Sequence, residues 1–408
     1  MIMDAALSLK QLFQQEFSRM VAVISHRFGL QHIEMAEDIV SETFLVAAET
    51  WGLKGIPENP AAWLYAVARQ KTLYHFRRNK IYEEKVMPAL KSGQAEQDTL
   101  DFSDQHIRDS QLQMIFAVCD PAIASESQIG LALRVLCGFG IDEIAEAFLT
   151  SKETINKRLF RAKEKLRAAQ IKLEMPPENM LAARLDNVLH VIYLLFNEGY
   201  YSGTQSRVLQ QELCLEALRL GLMLAGFEKT NLPATNALIA LMCFHASRFE
   251  ARQNSETSFV LYEEQDNTQW DQALIHQGVR YLERSAQGGQ LTSYHLEAGI
   301  AYRHCQQQDT PEKWQDILQL YDQLLQVNFS PAVALNRAYA MYKVHGAQAA
   351  ILEAEKIPLT NNHFYFVLLG ELYKDIAPEK AAACLRQALS MARSPVEKQQ
   401  VLRKMAVL

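Results

Sequence analysis

Within one short stretch the sequence gathers Lys152, Thr154, Asn156, Lys157, Arg158 and Arg161. Cations hold phosphates, and arginine can bond a guanine edge bidentately, so this set suits DNA read through its major groove. A second set has a different mixture. Arg69, Lys71, Tyr74, Arg77 and Arg78 are interleaved with Trp63, Tyr65, His75 and Phe76, and no acidic residue occurs from 61 to 80. Rings stack on bases while cations track the backbone, which suits contact with opened DNA. A third set is acidic: Glu34, Glu37, Asp38 and Glu42. Asp38 and Glu42 stand four apart and so share one helix face. The commoner fate of such a face is plain solvation. His245 with Arg248 and Glu250 tempts a catalytic reading, but no nucleophile or second carboxylate sits in a motif nearby. No P-loop, metal-ligand cluster or nucleophile motif is present, so no catalytic residue, metal or cofactor is expected, and no enzyme.

These residues need elements to position them. Ile141, Ile144, Ala145 and Phe148 make an apolar stripe at helical spacing, which Leu149, Thr150 and Ser151 interrupt. Thr150 stands three residues before Glu153, the capping-box spacing. Ile155, Leu159 and Ala162 give the next helix an inward face. Lys152, Lys157, Arg158, Arg161, Lys163, Lys165 and Arg167 crowd its remaining surface, against Glu153 and Glu164. A short amphipathic helix, a turn and a basic helix form the pattern of a helix-turn-helix. The same pattern would also serve as a solvated basic helix. Upstream, periodicity predicts a helix from Ser8 to Phe28 closed by Gly29, and another from His32 to Trp51. Gly52 to Pro60 is turn-rich, and Asn59-Pro60 predicts the entry of a third helix whose Trp63 and Leu64 pack inward. Residues 81 to 104 are polar and predict a linker, after which helices run from Ile107 to Val118 and from about Ser127 to Leu136.

Composition sets the outer bounds. A chain of 408 residues allows two to four domains. The net charge of −6 argues against binding nucleic acid with the whole surface and leaves room for a local basic patch. The six cysteines are scattered without a C-x-x-C pair, which suits free thiols in a reducing cytoplasm. No secretion signal and no membrane span are predicted, so a cytoplasmic location without membrane contact is expected.

Residues from about 8 to 172 resemble a bacterial RNA polymerase sigma factor of the extracytoplasmic-function type. Asp38-Ile39-Val40-Ser41-Glu42-Thr43-Phe44 is similar to the family's D-x-V-Q-E-x-F segment, with Ser41 where Gln is usual. Asn59-Pro60-Ala61-Ala62-Trp63-Leu64, Ala68-Arg69 and Arg77-Arg78 resemble the helix that melts and reads the minus-ten element. There Gln70 replaces a common Asn and Tyr74 a common Asp. Ile141 to Arg167 resembles the minus-thirty-five reader. The resemblance implies core RNA polymerase and promoter DNA as partners. Asp38, Ile39, Glu42 and Phe44 would meet the clamp helices of the β′ subunit, and the second domain the β flap. It divides the chain into a region 2-like domain at 8–80, a linker at 81–105, and a region 4-like helix-turn-helix domain at 106–172.

The remainder, 178–408, is expected to be a helical extension that regulates the factor in cis. Val188 to Gly203 resembles a segment of the sigma subgroup that carries long extensions. Asn197, Glu198, Tyr200 and Tyr201 in that run suit a packing interface better than a ligand site. From about 290 a repeat appears: Gly299/Tyr302, Asn336/Tyr339 and Gly370/Tyr373, the last two sets 34 residues apart (370 − 336). Apolar trios follow at Ile317, Tyr321, Leu324; Ala347, Ile351, Ala354; and Ala381, Leu385, Ala388. Tetratricopeptide-like helix pairs of this kind offer a surface for a protein partner. The expected fold is all-α. The alternatives are a helix-turn-helix regulator, or a tetratricopeptide adaptor, acting without polymerase core.

Overall fold

A computed structural model describes residues 2–78, 100–201, 207–255, 258–259, 265–392 and 395–408. The chain forms two compact units, Met1–Gly199 and Tyr200–Leu408.

The first unit begins with α1 (Ile2–Phe28), which Gly29 ends with a left-handed φ of +92°. Helix α2 (Ile33–Lys54) runs past Trp51, beyond the expected stop at Gly52. Gly55 ends it instead, at φ +84°, returning its N–H to the Trp51 carbonyl at 3.0 Å. A single helical glycine costs only about 1 kcal/mol, which the buried face of α2 offsets. Helix α3 (Pro60–Arg78) starts where the sequence places it. Asn59 Oδ1 accepts from the Ala62 N–H at 3.0 Å, capping the first turn. Phe17, Met20, Ile24, Val40, Leu64 and Ala68 are buried in the core of this first helical group.

A second group follows: α4 (Asp104–Val118), α5 (Ser125–Leu131), α6 (Ile141–Ala147) and α7 (Lys152–Ala168). The predicted single helix at 127–136 is instead α5 followed by one π-helical turn, Ala132–Leu136, which hands the chain to Gly138 at φ +73°. Helix α4 packs along α1. Gln111 Nε2 reaches Ser18 Oγ at 3.4 Å, and the rings of His26 and His106 meet edge to face at 5.1 Å. Arg134 lies over the Phe17 ring at 5.2 Å. The end of the predicted linker is part of this structure. Leu100 is buried, and Phe102 stacks on Tyr65 at 4.8 Å, while residues 81–99 lie outside the described residues. Helix α8 (Glu178–Tyr201) starts on the first unit. Arg184 donates to the Phe116 carbonyl at 2.6 Å and pairs with Asp120 at 2.8 Å, and Asn187 donates to the Cys119 carbonyl.

The second unit continues through α9 (Arg207–Ala225) and α10 (Pro233–Ala246) to a small antiparallel hairpin, β1 (Gln253–Ser255) and β2 (Ser258–Phe259). Helices α11 (Gln272–Ser285), α12 (Ser293–His304), α13 (Pro311–Val327), α14 (Pro331–His345), α15 (Ala347–Ala354), α16 (His363–Tyr373), α17 (Pro378–Met391) and α18 (Pro395–Ala406) follow. From α12 on, each helix packs on the next. The apolar trios face inward: Ile317, Leu324, Ile351, Ala354, Ala381, Leu385 and Ala388 are all buried. Gly370 fits where a Cβ would stand 2.8 Å from the Leu385 side chain, so the small residue sets that helix approach. Asn336 departs from this role and is exposed. Its neighbour Arg337 instead ties three helices, meeting Asp322 of α13 at 2.5 Å and Glu353 of α15 at 3.2 Å.

Candidate nucleic-acid interface

Helix α7 is set one residue later than its capping pattern suggests. Ser151, not Thr150, is the N-cap, and its Oγ accepts from the Thr154 N–H at 3.2 Å. The Thr150 N–H is turned back to the Ala145 carbonyl at 2.9 Å, closing the turn. Leu149 takes a left-handed φ of +49° there, which lets α6 and α7 meet at a sharp corner. Ile155, Leu159, Ala162 and Leu166 bury the inner face, as expected for the first three. Lys152, Thr154, Asn156, Lys157 and Arg161 are exposed on the outer side. Lys152 pairs with Asp142 of α6 at 2.7 Å, both side chains remaining mostly in solvent. Arg158 is drawn aside: it pairs with Glu126 at 3.2 Å and lies over Phe148 at 5.1 Å. Phe160 stands exposed among the polar residues, which the charge pattern did not single out.

On α3, Leu64, Ala68 and Thr72 face the core, and Arg69, Gln70 and Tyr74 face outward. The Arg69 guanidinium donates to the Leu100 carbonyl at 2.7 Å, across the segment that leads into α4. Lys71 pairs with Glu42 of α2 at 2.8 Å. A residue expected on DNA and one expected on polymerase thus meet each other. Leu64 packs inward as predicted, and Trp63 is half-buried with its ring 5.3 Å from that of Trp51. Arg77 and Arg78 belong to α3, but their side chains lie outside the described residues.

Helix α2 separates the four expected polymerase contacts into two kinds. Asp38 and Glu42 are exposed. Ile39 and Phe44 are buried, at 4% and 5% exposure, and Phe13 packs against Phe44 with ring centroids 4.9 Å apart. The helical period puts them on the inward stripe, so they hold α2 in place and do not present a surface. Desolvation holds the Asp38 carboxyl above its usual range, Glu37 adds to this, and Lys163 acts against it.

The acidic face expected to be solvated is partly covered. Glu37 is 4% exposed. Its carboxylate meets Arg134 at 2.8 Å through one oxygen and Lys163 through the other. Lys163, expected on the open surface of α7, is itself buried. Four residues away, Arg167 meets Glu34 at 2.5 Å and donates to the Gln31 carbonyl at 3.2 Å. The signal was present in the spacing: Ile155, Leu159 and Lys163 run at intervals of four, which places Lys163 on the inward stripe.

In the second unit, His245 lies 4.5 Å from the Tyr200 ring, and Arg252 covers that ring at 3.9 Å. The His304 imidazole is pushed down to about 3, first by desolvation and then by Arg248 and Lys313. Among the described residues, no group of three or more His, Cys, Asp or Glu could hold a metal ion, and no helix is long and apolar enough to cross a membrane.

Comparison with known proteins finds three family matches. Residues 12–81 match Sigma-70 region 2, and residues 130–166 match Sigma-70, region 4. Residues 184–286 match a family of unknown function, DUF6596. The chain is 32% identical over 377 residues to an uncharacterized protein of Rhizobium meliloti (strain 1021), covering 90% of this chain and 88% of that relative. No solved structure matches.

Proposed function

The chain belongs to the sigma-70 family, as an extracytoplasmic-function-like sigma factor with a C-terminal extension, and on that premise we propose a division of labour among its helices. Sigma factors bind core RNA polymerase and direct it to promoters; region 2 binds core and melts DNA, and region 4 recognises the minus-thirty-five element. Thr154, Asn156, Lys157 and Arg161 read that element, with Lys152 and Arg158 beside them on α7. The observation that carries this assignment is their outward row on a capped helix whose opposite side is core. Arg69, Lys71 and Tyr74 on α3, with Arg77 and Arg78, meet the melted minus-ten strand. Asp38 and Glu42 dock on the β′ clamp helices, while Ile39 and Phe44 fix the helix that presents them. Region 4 rests on the β flap. The work is done in the cytoplasm, where polymerase is, and no catalysis is assigned to the chain.

The C-terminal extension acts in cis, and its repeat surface takes a protein partner. The order of packed helices from α12 to α18 supports a folded body for this role. The test is run-off transcription from a promoter library with core polymerase. Full-length protein is expected to give promoter-specific transcripts, and the Asp38→Ala, Glu42→Ala double variant, with unchanged circular dichroism, to lose them. Truncation after Tyr201 spares the Arg184 and Asn187 anchors and is expected to change output severalfold. Lack of any promoter-specific product in the full-length reaction refutes the reading. Equal output from truncated and full-length chains refutes regulation in cis.

A further inference from the structure

The last helices of the repeat array enclose a pocket between α16 and α18, with a volume of about 220 Å³. Gly370 of α16 and Leu385 of α17 form its base. Leu385 is buried, and a Cβ on residue 370 would stand 2.8 Å from its side chain, so a larger residue there would displace the base. Val407 and Leu408 add an exposed apolar rim. Charge around the mouth is uneven. Lys374, Arg403 and Lys404 line it with one carboxylate, Glu371. Lys404 takes that carboxylate at 2.7 Å, and Lys374 and Arg403 form no ion pair among the described residues. Asp375, next to Lys374 in the chain, is exposed and lies outside the lining.

The repeat shows how this surplus arises. In the first helix pair Arg303 stands four residues after Gly299 and pairs with Asp316 at 2.8 Å. Asp316 directly precedes the apolar trio that begins at Ile317. The same places in the last pair are held by Lys374, four residues after Gly370, and by Lys380, directly before Ala381. Lys380 lies over the Tyr373 ring at 5.2 Å. A cation thus replaces the internal acid, and Lys374 is left to meet an anion from outside.

Size and lining select among anions. The volume falls below the roughly 300–1,000 Å³ that encloses a cofactor or drug-sized molecule. No aromatic residue lines the pocket, so a single-stranded nucleic acid would find no ring on which to stack a base. A branched aliphatic side chain flanked by carboxylates matches both the base and the rim. We propose that the pocket anchors the protein partner of the repeats and takes an acidic segment of it. One aliphatic side chain enters over Leu385, and neighbouring carboxylates meet Lys374 and Arg403. This rests on the reading that the repeat surface takes a protein partner. Ion pairs open to solvent are individually weak, so the charges steer and select the segment, while the side chain removed from water holds it.

The test uses the full-length chain and a fluorescein-labelled peptide, GSDELDELGS, followed by anisotropy at fixed salt. Lys374→Glu with Arg403→Glu is expected to weaken binding about tenfold. Lys380→Glu with Arg386→Glu makes the same change of charge at exposed sites outside the pocket and is expected to stay within about twofold. The peptides GSNQLNQLGS and GSDEADEAGS, which lack the carboxylates or the leucines, are each expected to bind about tenfold more weakly. No binding of the first peptide, or equal weakening by the two double variants, would overturn the pocket as its site. Tighter binding of oligodeoxythymidylate, lost in the Lys374 and Arg403 variant, would overturn the acidic segment in favour of nucleic acid. A photocrosslinking amino acid placed in cells at Asn336 on α14 or at Gln400 on α18 separates the two levels of the reading. A protein adduct at Asn336 alone keeps the repeat surface as a partner site and removes the pocket from it. No protein adduct at either position refutes the partner reading, and the proposal with it.

Discussion

Glu37 in the first unit and His304 in the second are both ionisable groups set among protein, and the fold treats them differently. Glu37 is paired with two cations, Arg134 and Lys163, which lie 97 and 126 residues along the chain. His304 is kept neutral: desolvation, Arg248 and Lys313 all oppose its protonation. His245 is treated in the same way, by desolvation and by Arg248, Arg252 and His304. A paired charge can change partners without losing its charge. A suppressed charge can appear only if the structure around it gives way. The first unit thus has an electrostatic contact suited to rearrangement, and the second has one suited to staying as it is.

Acid should give the largest separation between the two. The folded pKa of His304 and of His245 lies below the unfolded value of about 6.5, so the unfolded chain takes up protons first as pH falls. Their contribution is complete above that value and is lost as pH falls toward about 3 for His304. Between pH 7.5 and 5 each histidine is expected to cost the second unit about 2 kcal/mol, on the order of 4 kcal/mol for the two, read from urea denaturation. His304→Gln should lose less over the same range. An equal loss in that variant would assign the acid sensitivity elsewhere.

The next effect sharpens the contrast within α7, whose inward cation Lys163 is paired and whose outward Lys157 and Arg161 are exposed. Lys157→Ala or Arg161→Ala is expected to weaken binding to the upstream promoter element by roughly 1–3 kcal/mol, measured by anisotropy at fixed salt. Unchanged affinity in both would remove these residues from the interface. A smaller effect belongs to the cap. Ser151→Ala should lower stability by about 1 kcal/mol in chemical denaturation, whereas Thr150→Ala should cost clearly less. The reverse order would return the cap to Thr150. The smallest effect is expected at Lys71, whose pair with Glu42 is in solvent. Lys71→Ala should change stability by no more than about 0.5 kcal/mol, so any larger loss in melted-strand binding would report contact with DNA.

What was legible in the sequence was local. Asn59-Pro60 announced the entry of α3 because both signals act within one turn. The apolar stripe of α7 fixed its inner face for the same reason. The cap was misplaced by one residue because Thr150 and Ser151 are chemically alike, and the winner was decided by where the preceding turn closes. Ile39 and Phe44 arrived together with Asp38 and Glu42 in one motif, yet a helix sends them to opposite sides. The cover over Glu37 was hidden for a different reason. Its partners lie in another domain, and charge patterning along one helix carries no record of a contact formed by folding two domains together. The acidic residues of α2 therefore looked ready for solvent or a partner protein, while some were already occupied.

Arg337 carries the coupling of the extension beyond adjacent helices. Its guanidinium meets Asp322, which precedes it in the chain, and Glu353, which follows. Repeat arrays couple mainly through their nearest neighbours. Here one side chain spans three successive helices, so the loss of either carboxylate removes a tie between α14 and a neighbour while leaving the other in place.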